Sequence, residues 1–191
     1  MTIIVTGCAY KVKTPILPVS FIETYPLDTT KVKYNGYYNL IADTITFTNG
    51  YKYTFPRHIT DGLTVFNQNK NVYICGGATL DNSALSCEFY QSIVNWSKMH
   101  NEDYLGKYTI KNDSIYAYAL AHIVITAGRV ADVYCNYRGF VKNRDTITDW
   151  KVIPPYSKDF TKFVIENNQS LLNPHTLYFV KTDAVKCLEM D

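Results

Sequence analysis

The chain has 191 residues, is 47% hydrophobic and 15% aromatic, and carries a net charge of +2. That length supports a substantial core, and the composition excludes collagen, coiled coil, disordered tail and disulfide-stapled miniature scaffolds. Nineteen Lys and Arg against seventeen Asp and Glu fall short of the basic excess of a dedicated nucleic-acid binder.

Seventeen Tyr, 20 Thr and 15 Asn stand against five Glu and four Arg, a balance that favours strands and turns over a helical bundle. Thr2 to Val12 is β-branched and apolar, and Pro15 and Pro18 close it. Lys31 to Ile41 places Asn35-Gly36 between two strand-like arms, and Thr44 to Phe55 places Asn49-Gly50 likewise. Asn-Gly supplies the positive φ values of a type I′ turn, so both segments read as hairpins in a meander. In the second, Ile45 and Phe47, then Tyr51, Tyr53 and Phe55, alternate with Thr and Lys as on a half-buried sheet. Leu63 to Phe66 and Asn71 to Cys75 read as a third hairpin turning through Asn67-Gln68-Asn69-Lys70, with Gly76-Gly77 ending it.

The period then changes. Leu85, Phe89, Ile93 and Trp96 recur at helical spacing, which predicts a long amphipathic helix from about 82 to 100 capped by Asp81, Asn82 or Ser83. Ile115 to Thr126 suits either a strand or a buried helix. Its β-branched Ile123, Val124 and Ile125 favour a strand, paired back onto Val130 to Tyr137 across Thr126 to Arg129. Ser157 caps a predicted short helix over 157–169, and Thr176 to Lys181 reads as a closing strand. The fold class is therefore α+β: a predominantly antiparallel sheet or partly closed barrel with both helices packed on it, in a single domain over 1–191.

No apolar run approaches the roughly 18–20 residues that span a bilayer, and no basic stretch precedes the first apolar segment as in a secretory signal. A cytoplasmic protein (or, if viral, a virion protein) is expected, without a membrane. The residue bias also matches AT-rich coding, as in many phage and viral genomes. Five cysteines, Cys8, Cys75, Cys87, Cys135 and Cys187, lack metal spacing and read as reduced and buried.

Chemistry has few places to sit. No P-loop is present, and no cofactor or metal is expected, since His58, His100, His122 and His175 are scattered. His58-Ile59-Thr60 and His122-Ile123-Val124 resemble the paired H-x-[ST] motifs of the two-histidine phosphoesterases, in which histidines act as acid and base and hydroxyls hold the phosphate. Val124 stands where the second hydroxyl belongs. Ser86-Cys87-Glu88-Phe89, at a helix start, resembles the nucleophile helix of permuted papain-like hydrolases, which implies a Cys87 thiolate with His58 as base. Against both stands the commoner role of such residues in turns and cores. The favoured reading is a non-catalytic binding or assembly protein that docks a protein partner, or another copy of itself, on Tyr34, Tyr37, Tyr38, Tyr51 and Tyr53. A hydrolase using His58, Thr60 and His122, or Cys87 and His58, is the alternative. Nucleic acid is disfavoured by the net charge.

Overall fold

A computed structural model describes residues 28, 30–40, 45–46, 52–53, 63–75, 86–100, 105–126, 129–156, 161 and 172–188. Its strands are β1 (Gly36–Leu40), β2 (Ile45–Thr46), β3 (Lys52–Tyr53), β4 (Leu63–Phe66), β5 (Asn71–Cys75), β6 (Gly106–Lys111), β7 (Ser114–Thr126), β8 (Arg129–Asn143), β9 (Thr146–Ile153) and β10 (His175–Lys181). Among the described residues a helix, α1 (Cys87–His100), lies between β5 and β6, and a 3₁₀ helix, η1 (Asp183–Leu188), follows β10. Eight of the strands close a barrel in the order β1-β10-β9-β8-β7-β6-β5-β4, with every pair antiparallel. Closure removes the exposed sheet edges that would otherwise template aggregation.

Side-chain alternation explains how the barrel is filled and where it is covered. Tyr38, Phe66, Val72, Tyr108, Ile115, Ala117, Tyr137, Ile147 and Trp150 point inward and share one core. Phe66 meets Tyr38, Tyr108 and Trp150 edge-on, and Tyr137 stacks on Trp150 with 5.4 Å between ring centroids. On the outer side of β1, β4 and β5, Tyr37, Leu63, Val65 and Tyr73 form a second core with Tyr90 and Val94 of α1 and Val185 and Leu188 of η1. This wall is apolar on both faces, so β4 is buried at all four positions. β9 instead alternates buried and half-exposed residues, as a strand with one wet face does.

One barrel end is tied by its turns. Lys31 pairs with Asp113 of the β6–β7 turn and Lys33 with Asp145 of the β8–β9 turn. The Tyr38 hydroxyl donates to the Arg144 carbonyl at 2.6 Å, and that of Tyr108 to the Asn67 carbonyl at 2.7 Å. Val32 is fully buried against the barrel core behind these contacts.

Several expectations hold. The 63–75 hairpin turns through residues 67–70, with Lys70 at a φ of 63°. Ile115 to Thr126 is strand, pairing back from Thr126 onto Arg129, and the closing strand is present. β2 and β3 pair as the arms of the second hairpin, in a separate two-stranded sheet. The Asn49-Gly50 turn itself lies outside the described residues. The register Ile45↔Tyr53 is one residue away from that of a two-residue turn there.

Others are corrected. Asn35-Gly36 is not a hairpin turn. Gly36 opens β1 and pairs with Lys181 of β10, while Tyr38 pairs with Thr64 of β4. The helix is shorter than expected, 14 residues from Cys87, because Ser86 provides its cap, with its hydroxyl 3.4 Å from the Phe89 amide. The predicted caps at 81–83, and the Ser157 cap and helix over 157–169 (Thr161 apart), lie outside the described residues. Among those residues, no helix is long and apolar enough to cross a membrane.

Gly36 is required by proximity rather than by turn geometry. A Cβ there would collide with the Val180 carbonyl oxygen and lie 2.9 Å from the Lys181 Cα. Gly36→Val is expected to cost about 3 kcal/mol or more by forcing β1 from β10, measured as a fall in urea midpoint. An unchanged midpoint would contradict this pairing.

Candidate functional site

The structure redistributes the residues singled out by sequence. Cys87 is joined to Cys187 in a disulfide that links the start of α1 to η1, with 5.5 Å between Cα atoms. The reduced state expected of Cys87 and Cys187 is therefore corrected, and Cys87 is not available as the thiolate of the alternative hydrolase reading, since a bonded sulfur has no thiolate. Cys135 is free, and burial inside the barrel pushes its thiol up to about 12, as an inert core residue. His58 and Thr60 lie outside the described residues. His122 sits on β7 opposite Asp132 of β8. Among the described residues no group of three or more His, Cys, Asp or Glu is placed to hold a metal ion.

The tyrosines move as well. Tyr37 and Tyr38 are 5% and 0% exposed, because β1 is covered on both faces, so neither presents a docking surface. Tyr34 is half-buried against the barrel core, while Tyr51 and the Tyr53 side chain lie outside the described residues.

A different tyrosine surface emerges on the outer face of β6–β9. Direct pairing puts Lys107, Tyr118, Asn136 and Ile153 in one row across four strands. Thr109, Tyr116, Arg138 and Lys151 form the next row. Residues opposite one another share a face, so the two rows project together from the barrel. Between them the paired Ala117 and Tyr137 bring strand backbone to the floor of a pocket of about 290 Å³. Pro154 and Pro155, joined by a cis peptide bond, form its rim. The rim is fastened by the Asn136 amide, which donates to the Pro155 carbonyl at 3.1 Å.

Thr109 is the most informative residue in this wall. It is 1% exposed, and its hydroxyl oxygen is buried with no hydrogen-bond partner. Leaving such a group unsatisfied costs on the order of 1–3 kcal/mol, so an unpaired buried hydroxyl in a pocket-lining residue calls for an explanation. Asn39 Oδ1 is in the same condition, but on β1, which does not line the pocket.

The surrounding chemistry is aromatic and basic. Tyr118 stacks on Tyr134 with centroids 5.2 Å apart, and Arg138 lies 5.7 Å over the Tyr116 ring. Burial, reinforced by the neighbouring Tyr134, pushes the Tyr118 phenol up to about 12, so it remains a neutral donor at physiological pH. Lys107 donates to the Asn71 side-chain carbonyl at the pocket edge. The wall thus offers ring faces, an amide, a hydroxyl and a cation, a set suited to holding a planar polar ligand. The sequence did carry one signal for it. In β7, Tyr116 and Tyr118 alternate with the small Ala117 and Ala119, which places rings outside and small side chains inside a barrel. The partners come from three other strands, and only the register brings them together. The chain matches no protein-family model, no curated protein and no solved structure.

Proposed function

We propose that this protein works by binding rather than by catalysis, and that the pocket on the outer β6–β9 face is its contact site. The observation that carries this reading is the pocket-lining residue Thr109, whose buried hydroxyl has no partner. Rotation of that hydroxyl toward the pocket would let a seated ligand group supply the missing hydrogen bond, with the rings of Tyr116 and Tyr118 beside it. The tyrosine docking surface expected of the first hairpins is thereby assigned to β7 and β8. The Cys87–Cys187 bond favours an oxidising working environment, such as a secreted, periplasmic or virion setting, over the reducing cytoplasm.

Thr109→Val separates a binding role from a structural one. Valine keeps the shape and removes an unsatisfied polar atom, so the folded state should gain about 1 kcal/mol in urea unfolding. Binding should suffer instead. Adenosine monophosphate, N-acetyltyrosinamide and methyl glucoside serve as probes of planar-anionic, aromatic-amide and sugar character, scored by ligand-observed NMR. At least one should bind the wild type, and Thr109→Val should bind it about tenfold more weakly, a loss of about 1.4 kcal/mol. A destabilised variant, or one that binds every probe like the wild type, would contradict the proposal.

A further inference from the structure

We infer that the ligand of this pocket is single-stranded nucleic acid, one base lying against the Tyr116 and Tyr118 rings and the flanking phosphates meeting Lys107 and Arg138. The inference rests on the binding role assigned to this face and adds the class of ligand. Its first support is a charge asymmetry that the net charge conceals. The barrel portion of β6–β9 displays Lys107, Lys111, Arg138, Lys142 and Lys151 outward, and among its carboxylates Asp149 is paired with Lys151 at 3.0 Å. Acidic Asp113 and Asp145 sit in the turns at the barrel end, occupied by Lys31 and Lys33. The partners identified for Lys107 and Arg138, an amide and an aromatic ring, are both neutral, so their charges remain available to an anion.

The second support is the combination of groups. A single strand is held by rings that accept any base face, together with cations that follow the backbone. A duplex hides its base faces and cannot use stacking platforms of this kind. The pocket-lining Asn136 side chain, and the Thr109 hydroxyl once it turns toward the pocket, can meet the polar edge of a stacked base. An exposed Phe140, 46% accessible, extends the aromatic surface along β8 beyond Arg138. A protein partner would use the rings too, but gives no reason for Lys107 in the pocket lining and Arg138 over the Tyr116 ring.

The test uses the full chain, with fluorescein-labelled oligothymidylate and oligouridylate of about ten nucleotides, read by polarisation at about 50 and about 200 mM salt. Binding should weaken roughly tenfold or more across that range, as released counterions require when several phosphates are neutralised. Tyr118→Ala should lose roughly tenfold at both salts with the salt slope kept, while Tyr118→Phe should bind within about twofold of the wild type. Arg138→Gln, an exposed substitution that spares the fold, should reduce the salt slope by about 0.7. Preference between the two oligomers distinguishes DNA from RNA as the source. Equal or tighter binding of duplex, or affinity indifferent to salt and to Tyr118, would overturn the inference. Failure of both oligomers while one of the small probes still occupies the pocket would reject nucleic acid and leave the binding role standing. Failure of every probe would remove the binding role with it. Salt-insensitive self-association in sedimentation, without oligonucleotide binding, would assign the face to a protein contact instead.

Discussion

Reduction of the Cys87–Cys187 bond is expected to destabilise the fold by about 4–5 kcal/mol. The two residues are 100 positions apart, and a cross-link closing a loop of that length removes about 4.7 kcal/mol of chain entropy from the unfolded state. The bond also joins two elements that pack on the same wall. Tyr90 and Val94 of α1 meet Val185 and Leu188 of η1 in the second core, and η1 is a short 3₁₀ segment. Loss of the bond should therefore first loosen α1 and η1 from the wall formed by β1, β4 and β5. Urea unfolding with and without reductant, beside a Cys87→Ser/Cys187→Ser double variant, measures the effect. Equal midpoints for oxidised and reduced protein would contradict the linkage.

Alkaline pH should unfold the barrel between about pH 10 and pH 12, with the loss steepening as the buried tyrosines of the unfolded chain ionise. Burial raises the Tyr38 phenol to about 12, raises Tyr108 further, and holds Tyr137 well above its usual value of 10. These groups keep their protons in the folded state while the unfolded state loses them above about pH 10. Stability is thus fully present below the unfolded value and is lost as pH rises toward the folded one. Each group contributes up to about 1.4 kcal/mol per pH unit in that window, and three together about 4 kcal/mol per unit. Tyrosinate absorbance should include a late step, equivalent to these three phenols, that coincides with loss of the near-ultraviolet dichroism signal. Ionisation of all 17 tyrosines in a protein that stays folded would show these phenols to be accessible.

Local signals in the sequence carried much of the fold, and their failures have identifiable causes. The hairpin over 63–75 was legible because four polar turn residues separate two apolar runs. The Asn67 side chain confirms it by accepting from the amides of Asn69 and Asn71, both at 2.9 Å. The strand character of Ile115 to Thr126 was legible in its β-branched residues. Asn35-Gly36 misled because the same glycine that favours a turn is needed where β1 approaches the β10 backbone. β9 escaped notice because Asp149, at a φ of 53°, interrupts the alternation between Ile147 and Trp150. The α1 face was legible as a helix, but Tyr90 and Val94 proved its most buried members, with Phe89 and Ile93 at its flank.

The site was less legible for a physical reason. Lys107, Thr109, Tyr118 and Asn136 become neighbours only through the registers of β6, β7 and β8, and register is a long-range property. Tyr37 and Tyr38 read as part of a tyrosine-rich hairpin surface, whereas closure of the barrel and the packing of α1 cover both faces of β1. The disulfide left no mark in spacing, since 100 residues separate its cysteines.

The central claim, that the outer β6–β9 face is where this protein meets its ligand, is tested most directly by mapping amide chemical shifts during titration with adenosine monophosphate and N-acetyltyrosinamide. The account predicts that at least one probe shifts the amides of Lys107, Thr109, Tyr118 and Asn136 together, with the second core around Tyr90 and Val185 left unmoved. Shifts confined to another surface, or none at millimolar probe, would contradict it.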